Sequence, residues 1–181
     1  MKLLLIVSII LILSGCSSRS VVGYPSEYRQ ARAETTGVEP SEEAIARFIG
    51  LYGQLHGENL ADRIAQVYAK ELYFNDTLHS FKDRQSLINY LEKTARQVDL
   101  ITVEVDHIIR DGENLFLSWN MYTEARALGR TMKADTIGMT HLRFNAQGQV
   151  ILHQDYWDST EGLFSHIPFI GGIVRWTRNQ L

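Results

Sequence analysis

The stretch Val150-Ile-Leu-His-Gln-Asp-Tyr-Trp-Asp158 sets an imidazole, a carboxylate and an indole two residues apart. Read as a strand, its period of two puts Ile151, His153, Asp155 and Trp157 on one face. Leu152, Gln154, Tyr156 and Asp158 fall on the other. His153 and Asp155 suit proton transfer, because histidine titrates near neutrality and a carboxylate two residues along can orient it or share a water with it. The competing account is a polar pair satisfied inside a cavity or at an interface. Trp157 offers core packing or a flat apolar wall for a ring-shaped ligand. A second carboxylate, Asp76, follows the aromatic run Tyr73-Phe74-Asn75. Beside that run it is a usable general base; in a turn it would bend the chain or cap the next helix.

Other chemistries find no support. The six histidines form no short ligand cluster, no His-Glu-x-x-His pattern occurs, and Cys16 is the single thiol, so no metal is expected. Gly171-Gly172 lacks the strand-to-helix setting of a phosphate loop, no nucleophile elbow is present, and no cofactor is expected. A formal net charge of −3, with charges interspersed through 181 residues, gives no footprint for nucleic acid. The length suits one domain with a full core.

The elements that must hold these residues change period part-way along the chain. Ser41 is a plausible N-cap with Glu42 and Glu43 in the first turn, and Ala44, Ile45, Phe48, Ile49, Tyr52 and Leu55 recur at helical spacing until Gly57. A second helix from about Leu60 carries Ile64, Val67, Tyr68 and Leu72. After a short extended piece at residues 73–77, Asp83 or Ser86 opens a third helix with Leu87, Ile88, Leu91 and Ala95. From Leu100 the period is two: Ile101, Val103, Val105 and His107 share a face, Asp111-Gly112 turns the chain, and residues 115–124, 130–144 and 149–158 form three more strands. Asn145-Ala-Gln-Gly148 joins the last two. Helices followed by a meander predict an α+β domain, with three N-terminal helices packed on a curved antiparallel sheet.

The N-terminus reads as an export signal. Lys2 precedes an apolar run at residues 3–13, too short to span a bilayer comfortably, and Leu13-Ser14-Gly15-Cys16 follows. This resembles the lipobox of bacterial lipoproteins, the alternative being an ordinary secretory signal. The resemblance implies a signal peptide at 1–15, a lipidated Cys16, and an envelope protein anchored to the membrane by several acyl chains. Ser17 implies sorting to the outer membrane, facing the periplasm, in a Gram-negative cell. Residues 16–40, rich in Ser, Gly, Arg and Glu, read as a flexible tether. Residues 159–181 form an apolar extension broken by Pro168 and Gly171-Gly172. It would close the mouth of the domain, meet a partner, or rest on the bilayer through Arg175, Trp176 and Arg178.

From residue 41 to 158 the order of elements, with Phe74-Asn75-Asp76 ending a short strand and His141-Leu-Arg-Phe-Asn145 before the Gly148 turn, resembles the nuclear transport factor two-like superfamily. Its members include SnoaL-like cyclases and ketosteroid isomerases. The resemblance implies a cone, in which a strongly bent sheet wraps a pocket for an apolar or ring-shaped small molecule. It places Asp76 where the isomerases hold their general base and Thr140 where they hold a protonated acid. Their oxyanion tyrosine falls near Leu51, with Tyr52 one step out of phase. His153, Asp155 and Trp157 would point into the cone, joined by Trp119, Met121, Thr136 and Thr140. His107 and His141 read as structural, the latter on the convex side. The convex sheet face implies a homodimer. The functional expectation is an isomerase, cyclase or hydrolase using Asp76, His153 and Asp155, against a non-catalytic binding or scaffold module of the envelope.

Overall fold

The computed structural model describes residues 23–127, 130–162, 172, 176–177 and 180. The expected signal at residues 1–15, Cys16 and most of the C-terminal extension lie outside the described residues. The elements are α1 (Tyr24–Glu34), α2 (Glu42–Tyr52), α3 (Leu60–Val67), β1 (Tyr68–Asn75), β2 (Ser80–Asp83), α4 (Arg84–Gln97), β3 (Val98–Asp111), β4 (Asn114–Ala127), β5 (Arg130–Phe144), β6 (Val150–Trp157) and a short α5 (Ser159–Gly162). Among the described residues no helix is long and apolar enough to cross a membrane.

The expected α+β class holds. Six strands form one curved sheet in the order β2-β1-β6-β5-β4-β3, antiparallel except where β1 runs parallel to β6. Helices α2, α3 and α4 cover its inner face. The caps explain where two of them begin: Ser41 Oγ accepts from the Ala44 amide at 3.2 Å, and Asp83 Oδ1 from the Ser86 amide at 2.9 Å. Between helices and sheet lies a core that includes Ile45, Phe48, Leu51, Ile64, Leu87, Leu117, Leu142, Phe144 and Val150, all buried.

Three departures from the sequence reading matter for the site. First, the helix from Leu60 stops at Val67, and Tyr68 and Leu72 belong to a strand. Tyr68 is already extended, and the following aromatic residues gain a strand partner in β6. Second, Leu152 pairs with Arg143 and Val150 with Phe144, so β6 bulges at Ile151. The bulge drops Val150 into the core and puts Ile151 beside α1 residues such as Ala31, off the face that carries His153, Asp155 and Trp157. Third, a similar shift in β3 between Val105 and His107 leaves His107 exposed rather than on the apolar face.

The expected tether is structured from residue 24 onward. Helix α1 packs on the convex face of the sheet, where the Tyr28 hydroxyl donates to His141 Nδ1 at 2.8 Å and His141 Nε2 donates to Asn114 Oδ1 at 3.0 Å. His141 is buried on the convex side, as expected, and stacks on Phe116. Burial, then the neighbouring Arg143 charge, pushes its pKa down to about 4, so the ring stays neutral and both nitrogens keep these roles. Arg143 reaches across to donate to the carbonyls of Arg32 and Thr35, and Val38 bridges to Phe144.

Candidate functional site

The inner face of the sheet and helices α2 and α4 enclose a cavity of about 270 Å³. Its walls are overwhelmingly apolar: Phe48, Ile49 and Tyr52 from α2, Tyr90 and Leu91 from α4, and Val103, Val105, Leu117, Trp119, Met121 and Trp157 from the sheet. Asp76, Thr140, His153 and Asp155 also reach it. Of the residues expected inside the cone, only Thr136 fails to line the cavity. It lies opposite Met121 on the same face, and its hydroxyl is taken up by the Met121 carbonyl.

Polar groups in such a wall must find partners, and here they find one another. A single line of hydrogen bonds runs through six side chains. Trp119 Nε1 donates to Thr140 Oγ1 at 2.8 Å, and Thr140 donates to Asp155 Oδ1 at 2.5 Å. His153 Nε2 lies 2.9 Å from the same oxygen, His153 Nδ1 lies 2.8 Å from Tyr68 Oη, and Tyr68 Oη lies 2.6 Å from Tyr52 Oη. The indole N–H can only donate and the carboxylate can only accept, which fixes the bonds on either side of Thr140. Thr140 accepts from Trp119 and donates to Asp155. Asp155 Oδ1 then takes hydrogens from both Thr140 and His153 Nε2. In a neutral imidazole Nδ1 is left as acceptor for the Tyr68 hydroxyl, which accepts from Tyr52. These hydrogen positions follow from the donor inventory. Burial, above all, holds both tyrosine hydroxyls well above their usual pKa range, with the Asp155 charge adding to it, so each stays a neutral phenol.

The outcome for Asp155 is specific. Its Oδ1 is saturated by two donors, while Oδ2 takes no bond from any described residue, and the side chain keeps 16% exposure, toward the cavity. His153 behind it is only 1% exposed. The His153–Asp155 couple is thus both accounts at once: a satisfied buried pair that leaves one carboxylate oxygen presented to a ligand. Thr140 holds no acid, yet it stands directly opposite Asp155 in the ladder, so the neighbouring strand brings a carboxyl group to that place.

Asp76 is placed as expected and used differently. Its Oδ1 accepts from the amides of Leu78 and His79 at 2.9 and 2.7 Å, its Oδ2 accepts from the Tyr90 hydroxyl, and its carbonyl accepts from Trp157 Nε1 at 2.7 Å. This is the turn-forming role: the carboxylate closes the loop between β1 and β2 and ties it to α4. Both oxygens are engaged, Oδ1 by two amides and Oδ2 by one hydroxyl.

Three contributors escaped the sequence reading. Tyr52 and Tyr68, read as core or rim, complete the line behind His153; a buried hydroxyl demands a partner, and that demand was their signal. Gly138 is the third. A β-carbon there would lie 2.3 Å from two atoms of the Trp119 ring, so only glycine lets the indole lie flat across β5 and reach Thr140.

The model of the SnoaL-like domain matches residues 45–153. The chain belongs to the SnoaL-like family. Solved structures agree on the fold of this SnoaL-like protein. A candidate SnoaL-like polyketide cyclase from Shewanella denitrificans is 15% identical with a TM-score of 0.58, over 67% of this chain and 94% of that one. An LEH-like epoxide hydrolase from M. tuberculosis is 15% identical with a TM-score of 0.56, over 76% and 96% of the two chains. A protein of ketosteroid isomerase-like fold from Catenulispora acidiphila, solved with trimethylamine, is 14% identical with a TM-score of 0.56, over 68% and 91%. No curated protein matches the SnoaL-like chain.

Proposed function

We propose that this SnoaL-like protein is a lipid-anchored envelope protein whose cone binds an apolar small molecule, and that Asp155 moves a proton on it. The reaction would be of isomerase, cyclase or hydrolase type. The observation that carries this reading is the asymmetry of Asp155: one oxygen gripped by Thr140 and His153, the other without a bond from any described residue, in an apolar cavity. A positioned carboxylate in such a setting is a general base, with His153 keeping it oriented. Asp76 contributes wall and charge rather than a second base. The bonds that engage Asp76 favour, as a second reading, a non-catalytic carrier using the same cavity. Anchoring through Cys16 and residence at the outer membrane, facing the periplasm, rest on the lipobox-like sequence. A homodimer would use the convex face, where Ile109, Ile137 and Met139 stay exposed.

The test is a turnover screen of the full chain with apolar epoxides and cyclic ketones. Asp155→Asn should lower turnover by about two orders of magnitude or more. Undiminished turnover in that variant overturns the catalytic role, and binding without turnover in the unaltered protein selects the carrier. For anchoring, Cys16→Ser should move the protein from the membrane to the soluble fraction; a variant that stays membrane-bound removes the lipid-anchor reading.

A further inference from the structure

The cavity's charge is one-sided. Asn75 on β1 pairs in parallel with Gln154 on β6, so Asp76, just past the end of β1, and Asp155 each follow a paired residue. Both reach the cavity, and no lysine or arginine is among the described residues that line it. Two neighbouring carboxylates in an apolar wall repel each other and favour a cation between them. Asp76 is bonded in place and contributes negative potential; Asp155 Oδ2 accepts from none of the described residues. His153 approaches Asp155 only through Oδ1, on the side away from Oδ2.

The rest of the wall points the same way. Phe74, Tyr90, Trp119 and Trp157 bring aromatic rings to the cavity that holds the carboxylates. Ring faces are electron-rich and attract cations, most strongly in a desolvated site. A neutral apolar ligand would fill the volume and leave the charge uncompensated. An anionic ligand would add to the repulsion.

We propose that the cone selects an apolar amine in its protonated form, the ammonium donating to Asp155 Oδ2 among the rings of Trp157 and Tyr90 and the hydrocarbon filling the apolar end. This rests on the reading of the cone as a ligand pocket anchored by Asp155, and it specifies the ligand class.

Three probes of one shape separate the possibilities: naphthylmethylamine, naphthylmethanol and naphthoate, titrated calorimetrically into the full chain at pH 7. The amine should bind about 10- to 100-fold more tightly than the alcohol, and naphthoate should give no heat. Asp155→Asn should collapse the amine-to-alcohol ratio to within about threefold. An alcohol that binds as well as the amine, or a ratio that persists in Asp155→Asn, overturns the ammonium assignment while leaving the pocket in place. If none of the three binds, both the pocket reading and this one fall. Because the amine-to-alcohol comparison is made in the unaltered protein, misfolding of the variant does not obscure it.

Discussion

Gly138→Ala is expected to destabilise the protein by about 3 kcal/mol and to disconnect the candidate site, although a methyl group is all that it adds. The added carbon would sit 2.3 Å from both Cζ2 and Cη2 of Trp119, atoms of a rigid ring with no flexible end to yield. Gly138 stands opposite Trp119 on β4 and opposite Trp157 on β6, and the Trp119 ring fills the place a side chain would take. The Trp119 ring would have to swing away, taking its N–H from Thr140. Thr140 could then turn its hydroxyl elsewhere, and Asp155 Oδ1 would lose one of its two donors. Urea unfolding gives the stability loss, and amine binding gives the damage to the site. The decisive control is Trp119→Leu. If the clash is the cause, the double variant should cost less than the sum of the singles by at least about 1 kcal/mol. Additive losses would mean that alanine acts through something other than the ring.

The alternation of β6 explains both what was legible and what was not. His153, Asp155 and Trp157 lie beyond the bulge, where the period of two holds, and all three reach the cavity. Ile151 lies in the bulge, and a one-residue slip is enough to send a side chain to the other face. Nothing local marks that slip, because it is set by pairing with Arg143 and Phe144 on another strand.

Asp76 shows a different limit. Its position could be read from the aromatic run before it, but its role depends on amides two and three residues ahead and on Tyr90 from a helix. Tyr68 and Leu72 fit helical spacing and also sit in the strand that follows, and the partner that decides between the two lies some eighty residues away in sequence. Helix α1 carries almost no apolar stripe; its hold on the sheet is polar, through Tyr28 and through carbonyls that any sequence has. Hydrophobic patterning therefore passes over it.

That polar hold makes Arg143→Met the sharpest test of α1 as part of the domain. The Arg143 side chain is 8% exposed and spends its planar donors on four partners: Nε on Asn114 Oδ1, Nη1 on the carbonyls of Arg32 and Thr35, and Nη2 on Glu113. Glu113 in turn accepts from the Gly37 amide at 2.6 Å. Methionine preserves much of the volume and none of the donors, leaving Glu113 without its counter-charge and the end of α1 without its clasp. The expected loss is about 3 kcal/mol, at the lower end for a broken buried pair because Glu113 keeps some contact with water. Lysine should rescue little, since one ammonium cannot reproduce a fork aimed at four acceptors. The loss should be local: proteolysis within residues 24–38 should accelerate many-fold, while the cone, on the opposite face of the sheet, keeps its ligand affinity. Global unfolding with no early cleavage of α1 would show that Arg143 supports the sheet rather than the helix. Early cleavage with intact binding would mean that whatever precedes residue 24 is joined to the cone through a brace the domain can release without losing its pocket.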